Sequence, residues 1–251
     1  MFLAACARER LPVFEPADLP VSPVLERLEK RRNHFSSLRA AGTVRLKGEK
    51  QNWSGKAFLV GKIPRSLRLE VVSFLGQPLL YVASDGNDFL TWVPGQNRAY
   101  QGLASGGILA CLIEVPLDDH EALLLMAGVV PAWRYQQAGL FKEQHTENLV
   151  LVQENYRTLQ VERIWLEGED LSVIRVERFQ DGKLQWEARF DDFVAVEGYT
   201  YPKQVEVESA GVRLSLHYRD FAVNKPLERD TFRLHLPAGV EIVPWSAASR
   251  N

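Results

Sequence analysis

Apolar residues along most of this chain alternate with polar ones, the period-two pattern of half-buried strands. Lys183–Phe193 shows it most clearly: Leu184, Trp186, Ala188 and Phe190 take one face, and Gln185, Glu187, Arg189 and Asp191 the other. The same alternation sets Leu67, Leu69 and Val71 against Arg68 and Glu70. Strands are predicted over Leu38–Lys47, Trp53–Gly61, Arg65–Phe74, Leu79–Ser84, Phe89–Val93 and Arg98–Gln101. They resume, after an interruption, from Asn148–Glu154 to Val212–Phe221, with Tyr135–Glu143 a weaker run. Short turns such as Asp181-Gly182 and Ala210-Gly211 make neighbours antiparallel. About ten to twelve strands are too many for a flat sheet, so the pattern predicts a strongly curled one, an open or a closed barrel.

The interruption is Ile108–Pro131, the most apolar stretch of the chain, and its pattern is helical. Asp118 can cap a helix, with Glu121 three residues on to complete a reciprocal capping box. Ala122 to Ala127 favour helix, and Gly128 followed by Pro131 stops it. A helix this apolar lies beneath other structure or against something greasy, and the sequence leaves both open. Gly102 to Gly107 before it reads as a flexible hinge. A second, amphipathic helix is expected near the N-terminus. Ser22 would cap it, Pro23 would be its first residue, and Val24, Leu25, Leu28 and Phe35 would form its apolar stripe. It would end near Ser37, with Arg27–Arg32 as a basic outer face.

Composition narrows the chemistry. A formal charge of −2 and the absence of a basic stripe remove the electrostatic case for nucleic acid. No apolar run reaches the ~18 residues of a spanning helix. His34, His120, His145, His217 and His235 stand apart from one another and from Cys6 and Cys111, so no metal site is expected. Asp191 and Asp192 would point to opposite faces of a strand, and no nucleophile motif or phosphate loop occurs. No catalytic residues and no cofactor are predicted. Cys111, inside the apolar run, reads as a small buried hydrophobe.

Cys6 follows Leu3-Ala4-Ala5, the pattern of bacterial lipoprotein processing: small residues beside the cleaved bond and a thiol to take diacylglycerol. Only Met1-Phe2-Leu3 of the expected apolar leader precede it. Residues 7–20, rich in charge and proline without periodicity, read as a tether. The expected organisation is a lipobox and tether over 1–20 and a single domain over 21–245.

Taken in order, five features resemble the LolA/LolB-type lipoprotein carriers. They are the lipobox; the entry helix leading into Leu38-Arg39-Ala40-Ala41-Gly42-Thr43-Val44; the turn Val72-Ser73-Phe74-Leu75-Gly76-Gln77-Pro78-Leu79; Val115-Pro116-Leu117 with the capped apolar helix; and the ending from Arg219-Asp220-Phe221 through Asn224-Lys225-Pro226-Leu227 to Leu236-Pro237-Ala238-Gly239-Val240. The resemblance implies a mainly β fold with helices, an incompletely closed antiparallel β-barrel covered by an α-helical lid. It implies that acyl chains of a lipoprotein or lipid sit in the apolar interior. Leu69, Val71, Trp92, Trp186 and Phe190 are the candidate strand residues of that interior, and Leu109, Leu112, Leu123, Leu124 and Met126 those of the lid. Leu75 matches an apolar residue on a protruding turn that touches the bilayer, with Phe74 beside it. The chain is longer than a typical LolB, with extra strands around 135–180.

The functional expectation is therefore a monomeric, non-enzymatic, lipid-anchored protein of the bacterial outer membrane, facing the periplasm, that binds acyl chains and has a LolB-like role in lipoprotein localisation. The rivals are an anchored interaction subunit of an envelope assembly and a sensor of mislocalised lipoproteins. A continuous apolar cavity beneath the 108–127 helical segment would favour the carrier; a filled interior would favour the interaction subunit.

Overall fold

The computed structural model describes residues 14–49, 52–104 and 117–245. These form one 15-stranded sheet and two helices. In chain order the elements are β1 (Phe14–Pro16), α1 (Val21–His34), β2 (Ser37–Lys47), β3 (Asn52–Lys62), β4 (Ser66–Val72), β5 (Pro78–Ser84), β6 (Asp88–Val93) and β7 (Arg98–Leu103). They continue as α2 (Asp119–Met126), β8 (Gln137–Glu143), β9 (Leu149–Asn155), β10 (Gln160–Glu167), β11 (Ser172–Gln180), β12 (Lys183–Val196), β13 (Tyr199–Ser209), β14 (Val212–Val223) and β15 (Glu241–Pro244). The spatial order is β1-β8-β9-β10-β11-β12-β13-β14-β2-β3-β4-β5-β6-β7-β15. It is two meanders joined where β14 pairs with β2, Leu216 opposite Val44. The curved sheet is incompletely closed, and the helices cover it, as expected.

Turn chemistry sets much of this register. Asp181-Gly182, Glu197-Gly198 and Ala210-Gly211 each place two successive residues at positive φ. That conformation matches the right-handed twist of two-residue hairpins. Gly42 serves a different need. It lies beside the bulge where β14 shifts register between Tyr218 and Asp220. A Cβ there would lie 1.9 Å from the His217 carbonyl oxygen.

The ends of the sheet depart from the sequence expectation. Phe14–Pro16, inside the stretch read as a tether, pairs antiparallel with β8. Glu241–Pro244 pairs parallel with β7, the one parallel ladder of the sheet among the described residues. Both strands are shorter than any window in which alternation can be seen. Between β14 and β15 the chain crosses the outer face of β4. There Arg68 Nη1 donates to the carbonyls of Thr231 and Arg233, each at 3.0 Å, and Phe232 is buried.

Three local expectations are corrected. Helix α1 begins at Val21 with Pro20 as its cap residue, and neither Ser22 nor any other side chain caps it. Pro23 is tolerated because its missing N–H is one of the first-turn groups without an intrahelical partner. Arg31 leaves the basic outer face and is buried with Val24 and Leu28, whose four- and three-residue spacing it continues. Gly102, the first residue of the expected hinge, belongs to β7, and a Cβ there would meet Phe89 and the Cβ of Trp245; residues 105–107 of that hinge lie outside the described residues.

Replacing Gly42 with alanine forces a side chain against backbone that cannot move aside. The variant should lose about 2–3 kcal/mol of unfolding free energy, read from equilibrium urea denaturation.

Candidate functional site: the apolar interior and its helical cover

The inner face is lined from nearly every strand. Leu38, Val44, Leu59, Leu69, Val71, Val82, Ile164, Val176, Trp186, Phe190, Val205 and Leu216 all lie in a single buried cluster. Helix α2 fills the concavity. Its residues Ala122, Leu123, Leu124, Leu125 and Met126 are all buried, so beyond its polar first turn the helix is apolar on every side and enclosed. Leu123 rests on bare backbone at Gly61 of β3, where a Cβ would come within 2.1 Å of the Leu123 Cδ1. The joint between α2 and the sheet leaves a void of about 10 Å³, lined by Leu117, Ala122, Leu125 and Met126 on one side and Val205, Val207, Leu214 and Leu216 on the other. An apolar void of that size stays dry. Around α2, among the described residues, the interior is closely filled.

The ends of α2 are built as the sequence predicts. The Asp118 carboxylate accepts from the Glu121 N–H at 2.8 Å, and Glu121 accepts from the Asp118 N–H at 3.4 Å. At the other end, Gly128 at φ 64° lets its own N–H reach the Leu125 carbonyl and the Val129 N–H reach that of Leu124. This paired closure satisfies two carbonyls of the last turn.

Polar contacts then fasten α2 to its surroundings. His120 Nδ1 donates to the Pro64 carbonyl at 2.9 Å. The Tyr218 hydroxyl donates to the Met126 carbonyl at 3.0 Å, and burial pushes this phenol far above its ordinary pKa. Arg32 on α1 donates to the Val130 carbonyl at 3.3 Å. The principal fastener is Arg178 on β11. Its Nη1 reaches Glu121 of α2 at 2.6 Å, and its Nη2 reaches the fully buried Glu162 of β10 at 2.7 Å. The guanidinium also lies 4.9 Å from the Trp186 ring centroid. Burial pushes the Glu162 carboxyl above its usual range, and Arg178 partly offsets this. Burial pulls in the opposite sense on Arg178, but Glu162 and Glu121 outweigh it and hold that cation more firmly.

The candidate residues divide as follows. Leu69, Val71, Leu123, Leu124, Met126, Trp186 and Phe190 are brought together in the interior. Trp92 is not. It is half-buried on the opposite face from Phe89 and Thr91, stacked on Tyr81 at 5.3 Å. The alternation of β6 puts Phe89, not Trp92, inside. Leu184, in phase with Trp186 in the sequence, is exposed because a register shift between Arg178 and Phe179 breaks the phase there. Phe74 and Leu75 stand out at the β4–β5 turn, 58% and 89% exposed. Cys6, Leu109, Cys111 and Leu112 lie outside the described residues. Sequence reading missed Arg178 and Glu162. Their signal was a charge in phase with apolar neighbours, Glu162 with Ile164 and Arg178 with Val176.

Among the described residues, no group of three or more His, Cys, Asp or Glu side chains could hold a metal ion, and no helix is long and apolar enough to cross a membrane.

Replacing Arg178 with methionine leaves Glu162 buried without its cation and should cost about 3–5 kcal/mol at neutral pH. The folded Glu162 would then titrate well above its unfolded value, so folding would bind a proton. Stability falls as pH rises through that window and is regained on acidification. Urea unfolding of the variant at several pH values checks the sign.

No family model matches the sequence, and no curated protein is significantly similar to it. Solved structures do match. A LolA superfamily protein from Nitrosomonas europaea is 14% identical, covers 86% of this chain and 98% of its own, and superposes with a TM-score of 0.55. A domain assigned as an outer membrane lipoprotein-sorting protein from Vibrio parahaemolyticus is 14% identical, with 84% and 95% coverage and a TM-score of 0.51. A DUF1329 family protein from Desulfovibrio piger is 11% identical, with 85% and 97% coverage and a TM-score of 0.54. With its curled open sheet and enclosed apolar helix, this chain has the fold of the LolA/LolB-like superfamily.

Proposed function

We propose that this chain is a non-enzymatic carrier that takes acyl chains of a lipoprotein or lipid into the interior of its sheet, with α2 as the lid. One observation carries the reading. The concave face is apolar apart from the Arg178–Glu162 pair, and what packs into it is a separate short helix held by a few polar contacts at its ends and flank.

The magnitudes allow an exchange. Lifting α2 would expose Leu123, Leu124, Leu125 and Met126 at roughly 1.5–3 kcal/mol each, about 6–12 kcal/mol together. Burying roughly a dozen acyl methylenes at ~0.8 kcal/mol each returns about 10 kcal/mol. Cargo and lid therefore compete on nearly equal terms, and a carrier must be able to release what it binds.

In this reading Cys6 carries a lipid anchor, and residues 14–245, with β1 included, act as one monomeric domain facing the periplasm from the outer membrane. The Phe74–Leu75 turn touches the bilayer and adds its apolar contact to the hold of that anchor. The neighbours' fold and the assignment of the Vibrio domain to lipoprotein sorting support this reading. The filled interior favours a second reading, an anchored interaction subunit of an envelope assembly whose core is closed by its own side chains.

A disulfide distinguishes them. With Cys6 and Cys111 changed to serine, Gly61→Cys and Leu123→Cys place two thiols within bridging range. A Cβ at position 61 lies 3.2 Å from the Leu123 Cγ. The oxidised protein should bind a fluorescent fatty acid at least about tenfold more weakly than the reduced one. Equal binding in both states would exclude α2 as a lid, and binding in neither would favour the interaction subunit.

A further inference from the structure

The two ends of the curled sheet differ in character. At the end holding the β4–β5, β9–β10 and β11–β12 turns, Phe74, Leu75, Tyr156, Leu159 and Leu184 are exposed. None of them belongs to the core cluster or packs against it. The turns at the opposite end present carboxylates instead, among them Asp85, Asp88, Glu143, Glu147, Glu167 and Glu169. Leu103, the last residue of β7, is the exposed large apolar residue there. The apolar end is near neutral: Lys47, Arg98, Arg157, Lys183 and Arg213 stand against Glu49, Glu154, Asp181, Glu208 and Glu241.

Leu159 is the informative residue. It sits at φ 53°, in the left-handed region where a leucine is strained and glycine or asparagine is at ease. Leu171 shares that conformation, at φ 52°, but packs against the core. Leu159 has no such compensation and is 60% exposed. The turn that carries it is stiff. Asn155 Oδ1 accepts from the N–H groups of Arg157 and Thr158, both at 3.1 Å, and Gln180 Nε2 donates to the Thr158 carbonyl at 2.6 Å. Tyr156 lies beside it with its ring exposed and its hydroxyl donating to Gln137. An aromatic with one polar tip, next to an aliphatic side chain, suits the boundary between headgroups and acyl chains. The Phe74–Leu75 turn is stiff in the same way. Ser73 N–H donates to the Gln77 carbonyl at 2.7 Å, and Gln77 N–H to the Ser73 hydroxyl at 3.0 Å.

We infer that the Tyr156–Leu159 turn is a second membrane contact, so that the protein docks on a phospholipid bilayer through the whole apolar end of its sheet rather than through one turn. The charge distribution fits: the acidic end points away from an anionic surface, and the near-neutral end faces it. This rests on the proposed bilayer contact of Phe74–Leu75 and adds a turn in the second meander.

The test is partition of the full-length, unacylated chain into vesicles of phosphatidylethanolamine and phosphatidylglycerol, measured by sedimentation. Leu75→Gln should weaken partition about tenfold and Leu159→Asn about fivefold, with the two effects multiplying in the double variant. Leu159→Asn should melt at or above the parent's temperature, since asparagine relieves the backbone, so weaker partition could not be misfolding. Leu103→Asn, at the opposite end, should change nothing. If Leu159→Asn leaves partition unchanged while Leu75→Gln weakens it, the second contact is overturned and the first stands. If neither variant weakens it, both contacts are overturned.

Discussion

Everything in this structure answers to one requirement: the concave face of a single curled sheet must be covered. A β-sandwich covers its inner face with a second sheet. Here, among the described residues, α2 is inserted instead, and five consecutive apolar side chains from Ala122 to Met126 meet strands on several sides at once. The close approaches follow from that. Gly61 leaves backbone bare for Leu123. Gly128 turns the chain away at φ 64°, where any side chain would strike Pro202 at 2.5 Å. An amphipathic helix could not occupy this position, because it would have no wet side.

The polar contacts around α2 play a different part. A buried ion pair adds little net stability over well-packed apolar groups, since desolvation of both charges offsets their attraction. What Arg178 supplies is geometry. From one position on β11 it reaches Glu162 in the sheet and Glu121 on the helix, with its guanidinium held near Trp186. Tyr218 and His120 act at the two ends of the same helix. The cover is therefore seated by a few directional bonds while its contact surface stays apolar. In the proposed carrier, that combination would let the helix come away as a unit and return to one place. It is also why the same interior can be read as a closed carrier or as a finished core.

The strands were legible because their signal is local. Alternation over Lys183–Phe193 is visible in any window of that length, and Asp181-Gly182 names its own turn type. The capping box of α2 was legible for the same reason: Asp118 and Glu121 are three residues apart. Trp92 was misplaced because β6 is short and both of its phases carry large apolar residues, Phe89 in one and Trp92 in the other. Ser22 was misread as a cap because proline is accepted anywhere in a first turn, not only at its first position. Arg178 and Glu162 were overlooked because each looks like an ordinary surface charge until the sheet places 16 residues of separation within one hydrogen bond.

By itself, the sequence determined a mainly β chain of antiparallel strands, interrupted by one capped helix that is apolar beyond its first turn. These are properties of neighbouring residues, fixed by side-chain periodicity and turn conformation. Only the tertiary structure decided which strands lie at the edges, that α2 packs against β13 and β14 with a void of only about 10 Å³ between them, and which charged residues turn inward to hold it. It also decided that Leu75 and Leu159, 84 positions apart in the chain, face solvent at the same end of the sheet. Those outcomes depend on pairing and closure across long stretches of chain, and no local pattern encodes how far a sheet curls or what it curls around.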